Sequence, residues 1–175
     1  MSSRRRQRKK SHASEHITVY RGTRLVKELQ LLAETDGYVL SEAAKDGYYN
    51  WLYSQTCAFD DALYAGLNKS QEALQGAFLC WGGPDVYAAA HSAFGTELSK
   101  AFGPRPLISW TTSLTTAQHF AGLDGYVLTA RIKLADIVNA DWSTNDESEV
   151  LIANGVWATY SPNGKRRRVP RHRSR

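Results

Sequence analysis

The chain has 175 residues, one domain's worth, and its 42% hydrophobic and 11% aromatic content can build a core, which excludes wholesale disorder. Two cysteines, Cys57 and Cys80, without a CxxC pair exclude a disulfide scaffold and a structural zinc site, and no apolar run reaches the roughly 18 residues of a membrane span. The net charge of +5 hides a split: residues 1–10 hold six Arg and Lys and residues 165–175 hold seven, leaving nine basic and all 17 acidic residues to 11–164, a net −8.

The predicted organisation is a basic arm over 1–16, one domain over 17–164 and a second basic arm over 165–175. Like-charge blocks of this kind are solvated and disordered, and they also suit a tether to RNA, DNA or the ribosome. Residues 11–16 are polar where a signal peptide needs an apolar stretch, so the expected compartment is a cytoplasm, the cell's own or that of a target cell.

In chain order, Ile17–Tyr20 is β-branched and aromatic and predicts a strand ended by Arg21-Gly22-Thr23. Leu25, Leu29 and Leu32 predict a helix over 24–35, closed by the turn Asp36-Gly37. From 41 to 102 the pattern is helical, in segments at 41–55, 69–81 and 84–102. Ser41 and Ser70 stand as caps, and Pro84-Asp85 opens the third segment. The aromatics Tyr48, Tyr49, Trp51, Tyr53, Phe59, Tyr64, Phe78, Trp81 and Tyr87 are expected to pack this block.

After Pro106 the grammar changes to a strand over 107–113, a short helix over 115–122 capped by Thr115 or Thr116, and an alternating strand over 125–134 with Tyr126, Leu128, Ala130 and Ile132 on one face. Strands follow at 149–153 and 156–160, with Asn154-Gly155 between them as a hairpin turn. The class is α+β.

Three segments carry chemistry-bearing residues: Tyr20-Arg21-Gly22-Thr23, the hydroxyl-rich Ser109–Leu114, and Glu147-Ser148-Glu149 running into Val150-Leu151-Ile152. Each alone reads as surface pairing, cross-strand packing or a solvated turn. Their order and conjunction are specific. On these residues, with Ala117 and Phe120 downstream of the hydroxyl strand, the chain resembles the mono-ADP-ribosyltransferases of the Arg–Ser–Glu type, which include bacterial toxins and phage enzymes. The likeness covers about half of the domain. Thr111-Thr112-Ser113 stands where that family has Ser-Thr-Ser, and about 90 residues separate Arg21 from Thr111.

The resemblance implies a split antiparallel β-sandwich around an NAD cleft, with the helical block at about 41–102 added to it. It implies an NAD-dependent glycosyltransferase, a toxin or effector that transfers ADP-ribose to a macromolecule. The implied catalytic residues are Arg21, Thr111, Ser113, Glu147 and Glu149, and the implied NAD-binding residues are Arg21, Gly22, Thr111, Thr112 and Phe120. Arg21 supplies a bidentate cation for the pyrophosphate, and Gly22 lets backbone approach the nicotinamide amide. Glu149 stabilises the oxocarbenium-like ribose as the nicotinamide leaves, and hydroxyls of 111–113 orient it. Glu147 faces the acceptor. The paired glutamates favour a protein arginine, and the basic arms favour RNA or DNA. A nucleic-acid- or ribosome-binding protein without catalysis is the third reading. An antitoxin or immunity protein is an implied partner. No membrane and no metal is implied: His12 and His16 lie in a polar tail, Asp60, Asp61 and Asp146 are a weak divalent set, and His91 and His119 read as packing or surface histidines. The aromatic that stacks on NAD is either in the helical block or at Phe120 and its neighbours.

Overall fold

The computed structural model describes residues 15–24, 26–54, 59–139 and 148–163, excluding the side chains of Val26, Lys27 and Phe59. Its six strands are β1 (His16–Thr23), β2 (Tyr38–Leu40), β3 (Leu107–Thr111), β4 (Tyr126–Lys133), β5 (Glu149–Ala153) and β6 (Gly155–Pro162). Its six α-helices are α1 (Val26–Glu34), α2 (Glu42–Ser54), α3 (Phe59–Trp81), α4 (Pro84–Phe94), α5 (Thr96–Phe102) and α6 (Leu114–Ala121). The protein is α+β. No helix of the described residues is long and apolar enough to cross a membrane.

The strands form one antiparallel sheet in the order β2-β6-β4-β1-β3-β5. The expected hairpin at Asn154-Gly155 is absent. β5 pairs with β3, while β6 pairs with β4 and β2, so the two strands lie toward opposite ends of the sheet. In a flat sheet, four strand spacings would hold them roughly 19 Å apart. The single residue between them spans only about 7 Å. The sheet therefore curls until its ends approach and Asn154, with φ 65°, crosses the gap. Asn154 is fixed there by bonds from its N–H to the Pro106 carbonyl and from the Ser41 N–H to its own carbonyl.

The curl has an apolar interior to which every strand contributes: Val19, Val39, Ile108, Trp110, Leu128, Ala130, Ile132, Val150, Ile152, Val156 and Ala158 are buried in it, with Leu32 of α1. The alternation read in β4 is borne out for Leu128, Ala130 and Ile132, while Tyr126 is only half buried. The opposite face is covered in three places. Leu40 of β2, with Tyr38 beside it, packs under Ala44, Tyr48 and Ala62 of α2 and α3. Leu107 and Leu151 pack under Leu74, Tyr87, Ala88 and Leu98 of the helical block. Val127 and Tyr20 pack under Ala117 and Ala121 of α6.

Other sequence expectations are corrected. Strand β2 matches no predicted element, because three residues carry no period. Ser70 is not a cap: α3 starts ten residues earlier than its expected segment, and Ser70 is buried inside it, bonded to the Ser41 hydroxyl at 2.8 Å. Ser41 does cap α2, through the Ala44 N–H. The segment 84–102 splits at Gly95, whose φ of 50° ends α4. Tyr48 and Tyr87 are buried as expected, but Tyr53 is 87% exposed and Tyr64 72%. α6 is capped by Ser113, whose hydroxyl accepts from the Thr116 N–H, and not by Thr115 or Thr116.

Candidate functional site

The described residues of the three segments meet at one place on the sheet, with Tyr20, Thr111 and Glu149 on its outer face and Arg21 at the end of β1 beside them. Register places Tyr20 opposite Thr111 and Thr111 opposite Glu149, so β1, β3 and β5 deliver one row of side chains between α6 and α4. A cavity of about 350 Å³ opens there, lined by Arg21, Gly22, Thr111, Thr116, Phe120 and Glu149 together with Tyr20, Ser109 and Trp110. A second cleft of about 430 Å³ adjoins it, sharing Arg21, Gly22 and Phe120 and adding Arg24 and His119.

Arg21 sits at the end of β1, where its guanidinium is gripped from behind. Its Nε donates to Glu28 Oε1 at 3.2 Å and its Nη1 to the Ser109 carbonyl at 2.7 Å. Two of five guanidinium hydrogens are thus used for orientation, and among the described residues the other three have no protein acceptor and are open to an anion. Burial pushes the Glu28 carboxyl up, but Arg21, the Thr23 hydroxyl and Lys45 outweigh it and hold the carboxyl below its usual range. Burial in turn lowers Lys45, against the pull of Glu28. The arginine therefore rests on an ionised carboxylate and stays fixed at the cavity wall.

Glu149 opens β5, half exposed to the cavity. The Ser92 hydroxyl of α4 donates to its Oε2. Its strand is clamped by Asn139, whose amide donates to the Glu149 carbonyl at 2.9 Å and accepts from the Leu151 N–H at 2.8 Å. Thr111 is buried, and its hydroxyl accepts from the Ser113 N–H at 3.0 Å.

Gly22 has a packing role that the sequence did not reveal. A Cβ there would stand 2.0 Å from the Ala117 carbonyl oxygen and 2.5 Å from the Ala121 nitrogen. Its missing side chain lets α6 lie directly on β1, which brings Thr116 and Phe120 to the cavity. Phe120 is 54% exposed, and among the described residues no aromatic of the block 41–102 lines the cavity.

Of the residues named from sequence, Arg21, Gly22, Thr111, Phe120 and Glu149 line this cavity. Thr112 and Ser113 do not: Thr112 binds the Ser148 carbonyl through its N–H, and Ser113 caps α6. Glu147 lies outside the described residues, as do Cys57, His12 and Asp146. Sequence reasoning missed Ser92, which has no motif around it, and gave Tyr20 and Trp110 no role. His91, read as a packing or surface histidine, is buried, with Nε2 3.2 Å from Ser109 Oγ and Nδ1 without a hydrogen-bond partner among the described residues. Burial first, then Arg105, push it down to about 4, against the opposing pull of Glu149.

Comparison of the chain with known protein families, with curated protein sequences and with solved structures finds no match.

Proposed function

We propose that the protein is an NAD-dependent mono-ADP-ribosyltransferase, a toxin or effector that modifies a macromolecule. One observation carries the reading: residues as far apart in sequence as Arg21, Thr111 and Glu149 converge from three neighbouring strands on a single cavity, beside an exposed aromatic ring. The associated fold reading is a split antiparallel sandwich whose cleft is this cavity. The donor set suits a dinucleotide. The adjoining clefts share a fixed cation, Arg21, and an exposed ring, Phe120, and one of them adds a carboxylate, Glu149.

In this reading Arg21, braced by Glu28, binds the pyrophosphate, and Phe120 stacks on a ring of NAD. Glu149, oriented by Ser92, accepts a hydrogen bond from the ribose hydroxyl and stabilises the positive charge that builds as the nicotinamide–ribose bond breaks. Thr111 supports that edge of the cavity. The acceptor then attacks the anomeric carbon, which forms the new glycosidic bond and releases nicotinamide, and Glu147 takes the acceptor's proton. A protein arginine is the acceptor that the paired glutamates favour. The two basic arms favour RNA or DNA as a second acceptor class.

Glu149→Gln should lower kcat for both NAD hydrolysis and transfer by on the order of 10²–10³ with folding retained. Glu147→Ala should spare hydrolysis and reduce transfer. Radiolabelled NAD with lysate, followed by separate protease, RNase and DNase digestion, reads both the activity and the acceptor class. A folded Glu149→Gln variant with wild-type hydrolysis would remove the assignment.

A further inference from the structure

A third cavity, of about 450 Å³, lies where β5 passes into β6, at the other end of β1 from Arg21. Its lining includes His16, Tyr38, Arg131, Lys133, Asp136 and Trp157. Two features set it apart. First, it gathers cations in a domain that is otherwise acidic. Arg131 and Lys133 are two of only nine basic residues between 11 and 164, where the net charge is −8. Both are exposed, and neither forms an ion pair among the described residues, whereas Arg21, Lys69, Lys100 and Arg105 each do. His16 pairs with Lys133 across β1 and β4, which brings a third nitrogen base to the same wall. Asp136 is the carboxylate among the lining residues.

Second, the cavity presents a tryptophan that is exposed and held. Trp157 is 57% exposed, yet its Nε1 donates to the Asp36 carbonyl at 2.6 Å and its ring packs on Gly37. Tyr38 lies directly across the ladder from it. A large aromatic surface left open to water costs free energy, and here the ring is also fixed in orientation, as a stacking platform requires. The chain enters β1 at this cavity, directly after the arm that holds six of the basic residues.

We propose that this cavity binds single-stranded nucleic acid. Arg131 and Lys133 would take successive phosphates, while Trp157 and Tyr38 would stack unpaired bases, which a duplex keeps hidden. His16, Thr18 and Tyr20 alternate with the interior residues Ile17 and Val19 along β1, so this cavity and the one at Glu149 are about 13 Å apart along one strand. A bound strand is thereby held beside the proposed transfer site, although its binding does not depend on that activity.

The test uses the full chain and fluorescence anisotropy with a fluorescein-labelled uridine oligonucleotide and its thymidine counterpart across a salt series. The RNA and DNA probes distinguish the two sources of the same chemistry. Arg131→Ala/Lys133→Ala should reduce the slope of log affinity against log salt by about 1.4, two phosphate contacts at about 0.7 each. Trp157→Leu should weaken binding about tenfold at every salt concentration with the slope unchanged, and Trp157→Phe should restore most of it. As a measurement on the unaltered chain, photo-crosslinking with a 4-thiouridine oligonucleotide should label the peptide that contains Trp157. Wild-type affinity and slope in Arg131→Ala/Lys133→Ala, crosslinks confined to the arms, or no binding of either probe would each overturn the proposal. Loss of binding in these variants with NAD hydrolysis intact would separate this site from the proposed active site.

Discussion

His91 shows how a single residue can couple the candidate site to stability. It is 3% exposed, and burial holds its pKa near 4 against an ordinary 6.5. The native imidazole is therefore neutral where the unfolded one is protonated, and as pH falls the unfolded chain takes up the proton first. The contribution of His91 to stability is full above about pH 6.5 and is lost as pH falls to about 4, a change on the order of 3 kcal/mol. Glu28 and Glu42, whose values lie below the ordinary 4.5, contribute stability that is lost at lower pH still. Urea unfolding midpoints should accordingly fall between pH 6.5 and 4 in the wild type and stay nearly flat over that window in His91→Gln. Equal slopes in the two proteins would mean that His91 is accessible to protons in the native state. The neighbouring Ser92 was invisible in sequence for a simple reason: a lone serine on a helix acquires meaning only from the strand it faces.

At the scale of elements, contacts between backbones position the site. α6 lies against β1 at Gly22 and against the start of β4 at Gly125, where a Cβ would meet the Ala121 carbonyl oxygen at 2.0 Å. α2 and α3 touch in the same way at Gly47 and Gly66, whose added Cβ atoms would fall 2.9 Å from Gly66 Cα and 2.5 Å from the Ala44 carbonyl oxygen. Backbone cannot rotate aside as a side chain can, so Gly22→Ala must move the helix. The expected outcome is a loss of about 1–3 kcal/mol in urea unfolding together with a raised KM for NAD, because Thr116 and Phe120 move with α6. An unchanged unfolding midpoint would show that α6 does not rest on β1 at this point. Arg24 and Asn163 reinforce the same helix end: the Arg24 Nε donates to the Phe120 carbonyl at 3.1 Å, and the Asn163 amide donates to the Gly122 carbonyl at 2.7 Å.

Across the whole molecule, charge and cavity are separable. Residues 1–10 and 165–175 hold 13 basic residues and none of the three segments that meet at the cavity. Deleting both arms should leave NAD hydrolysis intact while the salt dependence of nucleic-acid binding falls steeply, since most of the charges that release counterions are gone. The remainder should be the share carried by Arg131 and Lys133. If the acceptor is a free protein arginine, transfer should survive the truncation. If it is RNA or DNA, transfer should drop at physiological salt and recover partly at low salt. Loss of NAD hydrolysis on truncation would place part of the cleft in the arms.

The sequence by itself determined the local elements and the residue types of the site. Alternation revealed β4, leucine spacing revealed α1, Pro84 and Ser41 marked helix starts, and Arg21, Thr111 and Glu149 stood out only through the order and conjunction of their three segments. These signals come from neighbours along the chain, where propensity and periodicity act. Only the tertiary structure decided the pairing of strands. Asn154-Gly155 has the local chemistry of a hairpin, but β3 occupies one hydrogen-bonding edge of β5 and Ile137–Asn139 the other, and burying the apolar interior of a curled sheet stabilises the chain more than a two-strand ribbon would. That choice sends β6 across to β4 and β2, builds the groove at Arg131 and Trp157, and aligns Tyr20, Thr111 and Glu149 in one row, none of which a linear pattern contains.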